Sequence, residues 1–255
     1  MIYCIGSLAS HLAYPNQINE IVSFLVNRAQ FDRHVSKLTT SEQKYLMYIL
    51  MGIAAVLKEE SSSTTSRISF IQNGLDYQLL IPMLIYFDSN NIEVRLELFQ
   101  LTNSIINYGR TNRVDPTFQD FCHALYSSLA SYGSSTQNSP VDYAALGNLL
   151  CNLVSVHSIE EFGHCIPMIF YLQKKMSKLS DSQQRALHSS LIEFFLWSCK
   201  YLSLDSFGQY MNGLKSLKME RKEWCIDMGV KDDFITKLRS LSFKYLSSCL
   251  STNFL

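Results

Sequence analysis

The chain has 255 residues, of which 47% are hydrophobic and 17% are charged. A chain of this length can bury a core without disulfides or a structural metal. Its 22 basic and 22 acidic side chains cancel, so no basic field exists that would attract a nucleic acid, and we expect no nucleic-acid partner.

Cysteine usage and hydropathy indicate the compartment. The seven cysteines are scattered singly without a CxxC pair, and the closest two, Cys151 and Cys165, are 14 residues apart. An odd, unpaired set is typical of a reducing cytosol. The longest apolar run, residues 46–57, has 12 residues and is too short to cross a bilayer. The sequence therefore predicts a protein that neither is secreted nor spans a membrane.

Helical periodicity runs through nearly the whole chain, and no stretch alternates with period two over the length of a strand. Apolar residues recur at spacings of three and four in successive stripes, for example Ile18, Ile21, Val22, Leu25 and Val26; Leu98, Leu101, Ile105 and Tyr108; Leu146, Leu149, Leu150 and Leu153; and Phe234, Leu238, Leu241 and Tyr245. The pattern predicts an all-α protein of about eleven helices.

The first half, residues 1–132, is the less regular part. Thr39 and Glu42 have the spacing of a capping box, which predicts a helix start just before the apolar run at 46–57. Pro82 interrupts residues 79–87, so we expect a short or kinked helix there. Clusters of Ser, Thr, Gly, Asn and Asp predict loops at 61–66, 88–91, 109–112 and 133–138.

The second half, residues 139–255, contains helix-start patterns at nearly even intervals. Ser139, Ser158 and Ser180 each precede an acid or amide by three residues, and Ser203 opens a fourth polar cluster. The starts are 19, 22 and 23 residues apart, so two helices take 41 to 45 residues. That is the repeat length of HEAT and armadillo arrays.

We therefore predict one right-handed α-solenoid of HEAT/armadillo-like helix pairs over residues 1–255. Repeats of this kind stack because one pair cannot cover its own apolar face. Met1 begins inside an apolar helix face instead of a polar capping helix, so we also expect that an N-terminal part of the rod is missing from this chain.

Few residue patterns suggest chemistry. Cys122-His123 and His164-Cys165 resemble ligand pairs, but neighbours on a helix point about 100° apart and do not converge on one ion. A Cys–His dyad assembled by the fold stays open at this point. No nucleotide-binding, hydrolase or metalloprotease motif occurs. We expect no enzyme activity, no cofactor and no metal.

The best local basic stripe consists of Lys215, Lys218, Arg221 and Lys222, with Trp224 just beyond. Such a stripe could lie against anionic lipid headgroups, or against a partner, with the tryptophan at the interface. The competing interpretation is a solvated last turn, since cations favour a helix C-terminus. These four residues are the candidates for contact with lipid or a partner.

Several stretches resemble the rolling-blackout family, the plasma-membrane scaffold that recruits phosphatidylinositol 4-kinase type III alpha. The similarity is clearest at Arg185 to His188, Glu193-Phe194-Phe195 and Phe207-Gly208-Gln209-Tyr210, and extends to 91–108, 126–130, 162–172 and 1–30. It therefore covers most of the chain.

The resemblance implies a rod of HEAT-like repeats without catalytic activity. It also implies attachment to the cytoplasmic face of the plasma membrane, and binding to a helical-repeat subunit of the kinase complex through the C-terminal region. Two departures matter. The lipidated anchor of the family has no counterpart, and Cys4 does not match it. Residues 219–224 replace a more apolar ending in animal members.

Two further hypotheses stay open. The chain could be a soluble HEAT/armadillo adaptor for protein partners in trafficking or transport, without membrane attachment. It could also be an all-α enzyme or ligand-binding bundle, which would have a deep pocket with convergent titratable groups.

Overall fold

A computed structural model describes residues 17–30, 35–62, 74–109 and 115–224. These residues are helical throughout apart from short connections and contain no strand, which confirms the all-α class. Four parts of the prediction lie outside the described residues: the N-terminal helix face with Cys4, residues 63–66 of the 61–66 loop, residues 110–112 of the 109–112 loop, and the final periodic segment from Asp232 to Leu250.

The described part contains seven α-helices and one long 3₁₀ segment. The α-helices are α1 (Gln17–Ala29), α2 (Thr40–Ser62), α3 (Ile92–Tyr108), α4 (Pro116–Gly133), α5 (Pro140–Lys175), α6 (Asp181–Tyr201) and α7 (Asp205–Glu220). The 3₁₀ segment (Tyr77–Asp88) lies between α2 and α3, and single 3₁₀ turns occur at Val35–Lys37 and Met176–Lys178.

Helix starts predicted from capping boxes are confirmed at three positions. At α2 the Glu42 carboxylate accepts from the backbone N–H of Thr39 at 2.7 Å. At α6 Gln183 accepts from the N–H of Ser180 at 3.0 Å, and the Ser180 hydroxyl accepts in return. At α5 Asp142 accepts from the N–H of Ser139 at 2.7 Å. These bonds satisfy donors that a helix end leaves unpaired.

The helix start predicted at Ser158 is wrong. Residue 158 lies in the interior of α5, which continues for 36 residues. The buried positions Leu150, Val154, Cys165 and Leu172 keep one helical phase on both sides of it, so packing holds a single helix together. The even spacing of starts is therefore lost between α5 and α6.

Ser203 itself caps the end of α6, and the fourth predicted helix start lies within its polar cluster. It has a positive φ of 57°, and the N–H of Leu204 donates to the carbonyl of Cys199 at 2.8 Å. Together these form the left-handed C-terminal cap of α6. Helix α7 begins two residues later, at Asp205.

The irregular segment predicted around Pro82 is the 3₁₀ segment Tyr77–Asp88. Asp76 caps it by accepting from the N–H of Gln78 at 3.0 Å. Pro82 supplies no N–H for an α-helical bond. The segment packs against α1, α3 and α4.

Elements close in sequence pack on each other. Helix α2 lies against α1 and α3, α5 against α3, α4 and α6, and α7 against α6. One continuous core joins them, and the rings of Phe87, Phe99 and Tyr132 meet in it with centroids 4.9 to 5.4 Å apart. Among the described helices, none combines the length and the apolar character that crossing a membrane requires.

Candidate partner-binding surface

Helix α7 exposes an apolar row. Met211 is its one fully buried side chain. Phe207, Tyr210, Leu214 and Leu217 follow each other at spacings of three, four and three, which places them on one side of the helix. Tyr210 is 65% exposed and Leu217 is 40% exposed. This row, together with Arg221 four residues beyond Leu217, is called the α7 surface below.

Two of the four predicted contact residues are already paired. Lys215 donates from Nζ to Glu193 of α6 at 2.6 Å, and the same Nζ lies 5.1 Å from the centroid of the Trp224 ring. Lys218 donates to Glu223 at 2.6 Å. The two lysines thus tie α7 to α6 and to the turn after α7, and Trp224 covers Lys215.

The other two cations belong to the cap of α7. The N–H of Lys222 donates to the carbonyl of Met219 at 3.0 Å, and that of Glu223 to the carbonyl of Lys218 at 2.9 Å. These bonds define a Schellman motif with Lys222 in the left-handed conformation at φ 56°. Arg221 and Lys222 are both exposed. The structure therefore divides the predicted stripe into a paired half and an exposed half.

The pairing changes nearby electrostatics. The hydrogen bond from Lys218 lowers the pKa of Glu223. Burial and the adjacent Lys218 lower the pKa of His188, against the opposing effect of Glu223. Glu220 and Glu223 lie beside these cations in sequence, and Glu193 of α6 pairs with Lys215 in space, so the positive potential of this end is small.

The four thiols in the described part of the chain, on Cys122, Cys151, Cys165 and Cys199, lie in surroundings that oppose nucleophilic chemistry. Cys122 and Cys165 are buried while their neighbours His123 and His164 are exposed, which confirms that these adjacent pairs point apart. Burial raises the pKa of Cys165 to about 12 and also raises that of Cys151. A reactive thiol has a lowered pKa. The described part of the chain also contains no cluster of three or more potential metal ligands.

One groove could accept a small molecule. It has a volume of about 650 Å³ and lies between the 3₁₀ segment and α4, with Ile81, Pro82 and Ile85 on one side and Ser127 and Ser131 on the other. Of its described lining residues only Asp88 carries an acidic or basic side chain, and burial raises the pKa of that carboxyl. The lining therefore lacks the several titratable groups, pointing to one place, that would mark an active site.

A buried ion pair is the polar feature that the sequence patterns missed. Arg95 donates from Nε and Nη2 to the two carboxylate oxygens of Asp142, each at 2.9 Å, and from Nη1 to the carbonyl of Ser89 at 2.7 Å. Tyr132 donates to the same carboxylate at 2.7 Å. Arg95 is 3% exposed and Asp142 is 0% exposed. The only pattern pointing to this cluster was the capping role of Asp142.

The cluster locks three elements together, because Arg95 lies on α3, Tyr132 on α4 and Asp142 on α5. Burial alone would raise the pKa of Asp142, but hydrogen bonds from Arg95 and Ser139 outweigh it and lower the pKa. A cavity of about 220 Å³ adjoins Arg95. The guanidinium faces a carboxylate that already neutralises it, so the cluster is built for structure instead of ligand capture.

Comparison of the chain with protein families, with curated proteins and with solved structures finds no match.

Proposed function

We propose that the chain is a non-enzymatic helical scaffold that binds a partner protein through the α7 surface. The observation that carries the proposal is the exposure of Phe207, Tyr210 and Leu217 on a helix with one fully buried side chain. Aromatic and aliphatic rows of this kind, bordered by arginine, are typical of the centres of protein interfaces.

The architecture that we propose for the scaffold is the right-handed HEAT/armadillo-like solenoid. Packing between elements that are neighbours in sequence supports it. The uninterrupted α5 and the 3₁₀ segment mean that the repeats would have unequal lengths. The absence of the helix break that was expected at residue 158 is compatible with a stack of helices, since each helix still covers the apolar face of the next.

A protein partner is favoured over a lipid surface by the ion pairs. Each free lysine or arginine near an anionic membrane contributes about 1 kcal/mol. Lys215 and Lys218 are held by carboxylates, so Arg221 and Lys222 alone would contribute about 2 kcal/mol. That is too little for stable attachment. Arg221 at the end of the apolar row instead suits a partner with a carboxylate beside an apolar face.

The partner that the resemblance suggests is the phosphatidylinositol 4-kinase complex, through its helical-repeat subunit. The location would then be the cytoplasmic face of the plasma membrane, with contact to the membrane supplied mainly by the partners. The alternative is a cytoplasmic adaptor for other proteins.

The experiment measures binding of the immobilised full chain to the purified kinase complex by biolayer interferometry. Tyr210→Glu and Leu217→Glu should each weaken binding at least about tenfold, because each places a charge in an apolar contact. Tyr48→Glu is the matched control, since Tyr48 is 58% exposed on α2. Binding that is equal in all variants would remove the α7 surface, and absent binding of the unaltered chain would favour the adaptor.

A second measurement separates lipid from protein. Vesicles containing phosphatidylserine are sedimented with the chain and with a variant in which Lys215, Lys218, Arg221 and Lys222 are replaced by Glu. We expect little pelleting of either protein. Strong pelleting of the unaltered chain alone would assign these residues to the membrane.

A further inference from the structure

The C-terminal half of α5 presents an exposed stripe that no other described element covers. Glu160, Gly163, Pro167, Phe170, Tyr171 and Lys174 are exposed and lie on one side of the helix. Phe170 is 59% exposed. The opposite side of the same stretch is buried through Cys165, Met168, Ile169 and Leu172. These six exposed residues are called the α5 stripe.

Gly163 has no role within the described fold. A Cβ added there would meet nothing within 4 Å. At Gly147 of the same helix, by contrast, a Cβ would lie 2.3 Å from the Ser190 hydroxyl oxygen of α6. A glycine inside a helix is unfavourable relative to alanine. Gly163 therefore leaves room on this face for a side chain of another molecule.

Pro167 adds a second feature on the same side. It has no N–H, so the carbonyl of Gly163 four residues earlier lacks its helical donor. An exposed glycine followed by an aromatic ring two turns later, at Phe170, combines a notch and a large apolar projection on one face.

The charges of the stripe are arranged for self-association. Glu160 and Lys174 lie at its two ends, 14 residues or about 21 Å apart along the axis, and neither forms an ion pair within the described residues. Pro167 is midway between them. Two copies packed antiparallel about a two-fold axis at Pro167 would place each Glu160 opposite a Lys174.

The same axis matches shape as well as charge. Gly163 and Phe170 lie on the same flank of the helix, at nearly equal distances on either side of Pro167, so Gly163 of one copy lies opposite Phe170 of the other. A notch thus receives a ring twice in one interface.

We propose that the α5 stripe is the contact of a homodimer in which two copies of α5 pack antiparallel about Pro167. One helix pair of this length buries less than the roughly 1,200 Å² of a standard interface, so the dimer should be weak. We expect a Kd of about 10 to 100 µM. This surface is separate from the α7 surface, so one copy could bind both partners.

The test is sedimentation equilibrium of the full chain from about 5 to 500 µM, a range set by the expected Kd. Glu160→Lys and Lys174→Glu should each raise the Kd at least about tenfold, because each places like charges at both ends of the antiparallel pair. An equimolar mixture of the two variants should regain dimers, since every facing pair is then attractive. Glu220→Lys, at an exposed position of α7, is the control and should dimerise as the unaltered chain does.

A substitution of Gly163 distinguishes the loss of dimerisation from misfolding. Gly163→Gln fills open space in the monomer, so at about 1 µM its Tm should rise by about 2 °C through better helix propensity. At high concentration it should sediment as a monomer because the notch is filled. A monomeric unaltered chain at 500 µM, or dimers that are unaffected by both charge reversals, would overturn the proposal.

Discussion

Replacing Arg95 by methionine removes the positive half of the buried ion pair and retains most of the side-chain volume. Asp142 then stays buried with hydrogen bonds from Tyr132 and Ser139 only, while the carbonyl of Ser89 loses its donor. Breaking a buried pair on one side costs about 3 to 5 kcal/mol, because an uncompensated charge is left in the interior. Because three hydrogen-bond donors to Asp142 remain, we expect Arg95→Met to lower the free energy of unfolding by about 3 kcal/mol, at the lower end of this range.

The same variant should change the dependence of stability on pH. In the unaltered chain the lowered pKa of Asp142 contributes stability above the ordinary carboxyl pKa, and this contribution is lost as the pH falls through the lowered value. In Arg95→Met, burial without the guanidinium should raise this pKa above the ordinary value. The difference in stability between the two proteins should therefore shrink as the pH falls from 7 toward 5.

The assay is urea denaturation followed by circular dichroism at 222 nm. Asp142→Asn in the Arg95→Met background removes the orphaned charge and should recover about 2 kcal/mol, which gives a coupling energy of similar size. Lys218→Met is the surface control, since its ion pair with Glu223 is partly exposed, and should cost less than about 1 kcal/mol. A loss of stability in Arg95→Met no larger than in this control would refute the prediction. Additive effects of the Arg95 and Asp142 substitutions on the free energy of unfolding would refute it as well.

Three further outcomes follow from local geometry. Ser203→Gly and Lys222→Gly should each stabilise the chain by about 0.5 to 1 kcal/mol in the same denaturation assay, because both residues hold a positive φ; unchanged midpoints would contradict these caps. Gly147→Ala should destabilise by about 1 to 3 kcal/mol, since its Cβ would clash with Ser190, and a neutral result would mean that α5 and α6 can separate freely. Cys165 should resist alkylation by iodoacetamide at pH 8 in the native chain and react after unfolding, because burial raises its pKa to about 12; mass spectrometry of the labelled peptides would show rapid native labelling if this is wrong.

Features that depend on a few neighbouring residues could be predicted from the sequence. The all-α class follows from apolar spacing. The starts of α2, α5 and α6 follow from capping side chains three residues from their partners, and the irregular segment follows from the missing N–H of Pro82. The outward and inward directions of His123 and Cys122 follow from helix geometry alone.

The candidate surfaces required the tertiary structure. Lys215 and Glu193 are 22 residues apart, so the sequence could not show that the cation of the predicted stripe is already neutralised. A free lysine and a paired lysine have the same sequence pattern. Which aromatic side chains of α7 and α5 face solvent depends likewise on where α6 and the other helices pack.

The sequence by itself determined that this chain folds into helices and where several of them begin, because those outcomes are decided within one or two turns. The tertiary structure decided that α5 continues through residue 158, that Arg95 meets Asp142, which lies 47 residues further along the chain, and which stripes remain uncovered. These depend on contacts between distant segments, whose free energy is gained only when the whole core has assembled.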